Sequence, residues 1–132
     1  MEGKQNLYYA LGILAYAVAK ADGVIQEEEG KLLREIVRSE TNHNMDFQYA
    51  EIIFQLLEKD NAGLDRVYEW ALGEINKGRH HLTSEIKTKM IDVLYRIADA
   101  FEYITEEEEI IIHRFEKDLK SLGTSGFLKS SK

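Results

Sequence analysis

The sequence predicts a single compact all-α domain, and three observations support this fold class. Apolar residues recur at the three- or four-residue spacing of helices in successive stretches of the chain. The chain contains no proline, which favours helices joined by short breaks. No alternation of polar and apolar residues persists for the length of a strand. A chain of 132 residues fits one domain, and the breaks divide it into six or seven helices.

The charge and composition of the chain favour some classes of function and disfavour others. Acidic residues outnumber lysine and arginine by 24 to 17, and the net charge is −7. This excess opposes nonspecific binding to nucleic acid or anionic lipid, whereas it suits a cation, a basic protein partner or simple solubility. There is no cysteine, which rules out disulfides and thiolate metal sites. No apolar run reaches about 18 residues and no signal peptide is indicated, so we expect a cytoplasmic protein without a membrane-spanning segment.

The first predicted helix begins near Leu7 and ends at an Asp22-Gly23 turn, where glycine suits the left-handed residue of a helix end. Alanines make this helix slim, which suits close approach to a neighbouring helix. The second helix should fade around residues 41–44, and the third runs from Asp46 to Lys59. Their apolar faces are Leu7, Leu11, Leu14 and Val18, then Leu32, Leu33, Ile36 and Val37, then Ala50, Ile53, Phe54 and Leu57.

Three further helices follow the break at residues 61–63. The fourth should stop at residues 76–79, Thr83 or Ser84 can cap the fifth, and the last should open at Thr105 and run to about Leu122. Residues 1–122 therefore form the predicted domain, and residues 123–132 form a small polar tail that we expect to be mobile. The apolar faces are Leu64, Val67, Tyr68, Ala71, Leu72 and Ile75, then Ile86, Met90, Val93, Leu94 and Ile97, then Ile111, Ile112, Phe115 and Leu119.

An internal repeat is indicated at an offset of 79 residues, which aligns Ile25 with Ile104. The same offset aligns the Ala-x-Ala pairs at 19–21 and 98–100, the acidic triplets at 27–29 and 106–108, and several apolar positions. The sequence therefore predicts two helix–acidic turn–helix units around a pseudo-twofold axis, with the two acidic junctions near one another.

The first junction, Ala19-x-Ala21-Asp22-Gly23-x-Ile25-x-x-x-Glu29, with its weaker second copy, resembles the TerB-like domains of tellurite resistance. The N-terminal TerB-like domain of the co-chaperone DjlA is similar. The resemblance covers about residues 7–120 and implies an all-helical domain in a stress-response setting. It also implies a metal site at the paired junctions, formed by Asp22, Glu29 and Glu108. Phe101-Glu102 replaces Asp-Gly in the second copy, so Glu102 would take the place of the missing ligand.

Two interpretations of the acidic junctions remain open. Carboxylates suit Ca²⁺, Mg²⁺ or Mn²⁺, which take several oxygen ligands at once. Alternatively the acids serve as helix caps, because Thr105-x-x-Glu108 has the form of a capping box and Glu29 holds the same position after Gln26. An EF-hand is rejected, since Val18 and Lys20 would occupy its first two ligand positions.

The remaining candidates give no catalytic constellation. His80-His81 is expected in a solvent-facing loop, and His43 and His113 are isolated. Trp70 with Tyr68 indicates either core or a partner groove. We therefore expect a non-enzymatic module that binds a divalent cation or a basic partner through the acids Asp22, Glu29, Glu102 and Glu108. The alternative is a plain protein-interaction domain in which the acids are only caps and solubilisers.

Overall fold

The computed structural model describes residues 3–21, 27–28, 31–35, 47–99 and 104–122. These residues form helices and turns without a strand, which confirms the all-α class. The helices are α1 (Gly3–Lys20), α2 (described at 27–28 and 31–35), α3 (Phe47–Asp60), α4 (Leu64–Lys77), α5 (Ser84–Ala98) and α6 (Glu106–Leu122), with a 3₁₀ turn at Arg79–His81 between α4 and α5.

Most helix ends lie where the sequence predicts them, since they depend on local residues. Asn61 ends α3 in the left-handed region, with φ of 53°, and asparagine tolerates that conformation well. Gly78 ends α4, and its N–H bonds back to Glu74 O and Ile75 O. Thr83, rather than Ser84, caps α5, because its side chain accepts a hydrogen bond from the Ile86 N–H at 3.1 Å.

α1 is the central helix of the described part of the chain. The apolar side chains of the stretch Ala10–Ala19 are buried all the way around the helix, not only along the predicted stripe. A helix that is apolar on every side requires neighbours on every side. α3, α4, α5, α6 and the 3₁₀ turn all contact α1. The other helices therefore form a layer around it.

The closest approach to α1 comes from α3 at Gly12. A β-carbon at position 12 would lie 2.7 Å from Ala50 Cα, and closer still to Ala50 O and Ile53 Cγ2. Real β-carbons do not come this near to backbone atoms. The absence of a side chain at Gly12 therefore allows the two helix backbones to meet, as the predicted slimness of the helix suggested.

The core otherwise follows the predicted apolar faces. Of the predicted residues on α3 to α6, all are buried except Leu64, Leu72 and Ile86, which are half-buried. On α2, Leu33 is buried and Leu32 is half-buried, whereas Ile36 and Val37 lie outside the described residues. The predicted tail at 123–132 also lies outside them.

The internal repeat stays a prediction. Its aligned helices α1 and α5 contact each other. The aligned pairs Leu11 and Met90, and Val18 and Ile97, are buried in both copies. Such agreement is also what two core helices without symmetry would give, so burial alone does not establish a pseudo-twofold axis.

Candidate functional site

The structure describes one of the four residues of the predicted acidic site. Asp22, Glu29 and Glu102 lie outside the described residues, and Glu108 lies in the first turn of α6. The predicted meeting of the two junctions is therefore untested, and the metal site built on it stays a prediction.

Glu108 and Thr105 form the predicted capping box. The Thr105 N–H donates to Glu108 Oε1 at 2.9 Å, and the Glu108 N–H donates to Thr105 Oγ1 at 3.1 Å. Glu108 is only 2% exposed, so the carboxylate is committed to the start of α6. The reciprocal bonds satisfy two amides that a helix start otherwise leaves without partners. The capping interpretation of Glu108 is confirmed.

The other acids of this helix start face solvent. Glu106, Glu107 and Glu109 are exposed in the first turn of α6, where negative charge complements the helix dipole. Within the described ranges, no three histidine, aspartate or glutamate side chains are grouped so that they could hold a metal ion.

The histidines do not combine into a site in the part of the chain that the structure describes. His80 and His81 are exposed on the 3₁₀ turn, as expected for a solvent-facing segment, and His113 is exposed on α6. His43 lies outside the described residues.

A buried polar group that the sequence reasoning missed joins α1 to α4. Glu74 is 6% exposed and accepts hydrogen bonds from Asn6 Nδ2 at 2.6 Å, Trp70 Nε1 at 3.1 Å and Lys77 Nζ at 3.3 Å. Three donors compensate the cost of removing a carboxylate from water. A signal was present in the sequence, since Glu74 follows the core residue Val67 by two helical turns.

This hydrogen bonding fixes Trp70, whose ring is partly open to solvent. Trp70 is 43% exposed, although its indole N–H is engaged by the buried Glu74 carboxylate. Tyr68, which the sequence pattern grouped with Trp70, is instead buried in the core. Of the two predicted alternatives, core therefore describes Tyr68, and an exposed position describes Trp70. The Trp70 side chain is therefore both held by a hydrogen bond and partly exposed.

The turn at residues 61–63, beside Trp70, is tied to the end of α1. The Tyr16 hydroxyl donates to Ala62 O at 2.8 Å, and Lys20 Nζ donates to Asn61 Oδ1 at 2.6 Å. Burial, and then the carboxylate of Glu58, raise the pKa of Tyr16, so the hydroxyl stays a donor at neutral pH. The turn is thus positioned by long-range hydrogen bonds.

A cavity of about 450 Å³ lies between this turn and Trp70. Its lining includes one aromatic residue, Trp70, one acidic residue, Asp60, and one basic residue, Arg66. Arg66 and Trp70 are four residues apart and so share one face of α4. The lining residues are Leu57, Asp60, Asn61, Ala62, Gly63, Arg66, Val67 and Trp70.

A second open space of about 500 Å³ is the α5–α6 groove, defined by the residues that line it. Its floor is apolar and its edges are charged. Burial, and then the carboxylates of Glu116 and Glu109, raise the pKa of the Tyr95 hydroxyl on its floor. The lining residues are Lys87, Thr88, Ile91, Asp92, Tyr95, Glu116, Leu119 and Lys120.

α4 and α6 are joined by a polar cluster around Tyr68. Its hydroxyl donates to Asp118 Oδ2 at 2.6 Å, and the Arg114 guanidinium lies 4.0 Å from the centre of its ring. Arg114 also lies 3.5 Å from Glu69 Oε2. Burial, and then the hydrogen bond to Asp118, raise the pKa of Tyr68 well above its ordinary value of 10.0. The cluster positions α6 against α4.

Neither a protein-family model nor any curated protein or solved structure matches this chain. The described helices also include none with the length and apolar character needed to cross a membrane.

Proposed function

We propose that this protein is a non-enzymatic, TerB-like helical module of the cytoplasm that binds a basic protein segment. The binding site is the cavity beside Trp70. The acids at the described helix start of α6 act as caps and solubilisers, as Glu108 does in its capping box. The stress-response setting comes from the TerB-like resemblance.

The observation that carries this proposal is the positioned indole of Trp70. Its N–H is held by Glu74, while 43% of the residue is exposed beside a cavity. An aromatic side chain whose rotamer is already fixed loses little entropy on binding, and tryptophan is enriched where interfaces concentrate their binding energy.

The charges around Trp70 indicate which side chain it receives. A lysine or arginine over an indole face gains about 0.5–2 kcal/mol from the cation–π interaction. The Asp60 carboxylate lines the same cavity and can pair with that cation. Arg66 can donate to a carbonyl of the bound segment. The net charge of −7 favours approach of a basic partner.

Intrinsic fluorescence tests this proposal directly, because Trp70 is the chain's only tryptophan. The probe is the blocked peptide acetyl-Gly-Arg-Gly-amide, with its neutral citrulline analogue as the control ligand. We expect the arginine peptide to change the emission with a saturable curve and the citrulline peptide to leave it unchanged. Equal responses to both peptides would contradict a site for a basic side chain.

Two aspartates provide a matched pair of variants for this titration. Asp60→Asn removes the carboxylate that lines the cavity, whereas Asp65→Asn removes the same charge from an exposed residue outside the lining. We expect Asp60→Asn to weaken binding of the arginine peptide several-fold and Asp65→Asn to have little effect on that binding. Equal weakening by both would mean that only the overall charge matters.

A divalent cation at the paired acidic junctions is the second candidate. It is supported by the resemblance at Asp22 and Glu29, with Glu102 and Glu108 as the second pair. Calorimetric titration with Ca²⁺, Mg²⁺ and Mn²⁺ should then give heat that Asp22→Ala removes. An absence of heat for all three ions would exclude this candidate.

A further inference from the structure

The α5–α6 groove is a second interaction surface, separate from the Trp70 cavity. α5 and α6 are antiparallel neighbours, because only the short connection 99–105 joins them. The apolar floor of the groove consists of Ile91 and Tyr95, which are half-buried, together with Leu119, which is buried beneath them. We propose that a second copy of this chain occupies the groove, so that the protein forms a twofold-symmetric dimer.

The charged edges of the groove are divided between its two ends. In an antiparallel pair, Lys87 near the start of α5 lies beside Lys120 near the end of α6. The acids Asp92 and Glu116 lie farther along. The carboxylates of Glu116 and Glu109 on α6 both raise the pKa of Tyr95 on α5. This agrees with an antiparallel arrangement of the two helices. One end of the groove is therefore basic and the other acidic.

This polarity is self-complementary under a twofold axis. A twofold axis across the middle of the groove brings the basic end of one copy against the acidic end of the other, and the reverse contact forms at the same time. A parallel arrangement would instead oppose lysine to lysine. The charge pattern thus selects one orientation of one partner, a second copy of the same surface.

The ion pair within α5 leaves the acidic end able to make such contacts. Asp92 Oδ2 lies 4.0 Å from Arg96 Nη1, and both side chains are at least half exposed. A pair this long and exposed contributes little. Asp92 can therefore turn to a lysine of the second copy.

The apolar floor and the charged edges have different effects in this dimer. Covering the half-buried side chains of Ile91 and Tyr95 removes apolar surface from water and contributes to the affinity. Exposed charge pairs at the edge are individually weak and screened by salt, but they set orientation and association rate. The dimer should therefore depend on protein concentration and weaken as salt is raised.

Charge exchange at the two ends provides the test. The variant K87E/K120E has an all-acidic groove edge, and D92K/E116K has an all-basic one. Sedimentation equilibrium on the full chain should show a dimer for the wild type and a dissociation constant at least about tenfold weaker for each variant alone. An equimolar mixture of the two variants should restore the dimer, because one copy then supplies every acid and the other every base.

A matched control keeps the charge change but moves it away from the groove. K31E/K59E removes two exposed lysines from α2 and α3, and should dimerise like the wild type. A wild type that stays monomeric at every concentration would overturn the proposal, as would dimers of both groove variants that are as tight as the wild type. A failure of the mixture to associate would overturn the twofold arrangement.

A cysteine near the proposed axis gives an independent readout if the charge variants fold poorly. The chain has no cysteine, so Thr88→Cys in the groove introduces a single thiol. Mild oxidation should link two copies through it, while Gln55→Cys on the exposed side of α3 should remain largely unlinked. Equal linking of both variants would contradict the proposal. The dimer proposal does not depend on peptide binding at Trp70, because the groove and the Trp70 cavity share no lining residue.

Discussion

The helix pairs α1–α3 and α5–α6 differ in how closely their helices pack. α1 and α3 meet so closely at Gly12 that a β-carbon would clash with the Ala50 backbone. α5 and α6 also pack together, yet they leave a groove of about 500 Å³ on their outer side. The first pair has no space left between its backbones, and the second leaves the half-buried side chains of Ile91 and Tyr95 in an open groove.

The difference follows from the side chains at each contact. A glycine facing an alanine lets two backbones approach, so dispersion contacts form along the whole crossing. Long side chains such as Lys87 and Lys120 line the groove, and side chains of this kind keep their charged ends in water above apolar stems. Small residues thus allow close contact between α1 and α3, whereas longer charged residues line the groove between α5 and α6.

The largest expected effect comes from adding one methyl group to the close pair. Gly12→Ala should destabilise the protein by about 2–3 kcal/mol, because α3 must shift as backbone and not as a flexible side chain. Gly73→Ala adds the same methyl to α4 where nothing lies within 4 Å. It should stabilise by about 0.5–1 kcal/mol. Urea unfolding of both variants measures the difference, and a Gly12→Ala variant as stable as the wild type would contradict the close approach of α1 and α3.

Removing one hydroxyl tests how α6 is held against α4. Tyr68→Phe should cost about 1–2 kcal/mol at pH 7, since the hydrogen bond to Asp118 is lost. The pKa of Tyr68 is raised above 10.0 in the folded protein. Its stabilising contribution is therefore complete below pH 10 and falls as the pH rises further, because only the unfolded chain then releases the proton.

The pH dependence separates this variant from a simple loss of packing. The stability gap between wild type and Tyr68→Phe should stay constant up to about pH 10 and shrink above it in urea unfolding experiments. Tyr16 and Tyr95 also have raised pKa values, but both are present in the two proteins and cancel in the comparison. A gap that also stays constant above about pH 10 would contradict the role given to the hydroxyl.

The start of α6 should respond to loss of its capping box. Thr105→Ala or Glu108→Ala should each cost about 1 kcal/mol. The double variant should cost less than twice that, because each residue caps through the other. Glu107→Ala, at an exposed position in the same turn, should change stability by less than about 0.5 kcal/mol. A fully additive double variant would mean that the two residues act separately.

A small effect on stability is expected from a change on the floor of the groove. Ile91→Ser should change the free energy of unfolding of the monomer by about 1 kcal/mol or less, since Ile91 is only half-buried. The same change should clearly weaken the proposed dimer. Comparing urea midpoints at low protein concentration with sedimentation at high concentration separates the two. A loss of stability as large as that of Gly12→Ala would show that the groove belongs to the core.

Features set by neighbouring residues could be predicted from the sequence. The apolar spacing located the helices, and Thr105-x-x-Glu108 predicted a capping box that the structure confirms. Both depend on residues within one helical turn or one helix face. The break at residues 61–63 was predicted for the same reason, although the sequence did not show what holds it.

Features that depend on distant residues were missed. Asn6 and Glu74 are 68 positions apart, and Tyr16 and Ala62 are 46 apart. Only the tertiary arrangement reveals that these polar groups satisfy each other. The acidic pattern at Asp22 was visible in the sequence, but whether two junctions meet also depends on tertiary structure. That prediction concerns residues outside those the structure describes.

The central position of α1 has a consequence for the order of folding during synthesis. α1 precedes every helix that covers it, and its main neighbours α3 and α4 end at Asp60 and Lys77. At ordinary elongation rates, its apolar surface waits on the order of several seconds for those helices to leave the ribosome. During that interval the apolar sides of α1 lack their main native neighbours, so we expect the native packing of α1 to form only after α4 is complete.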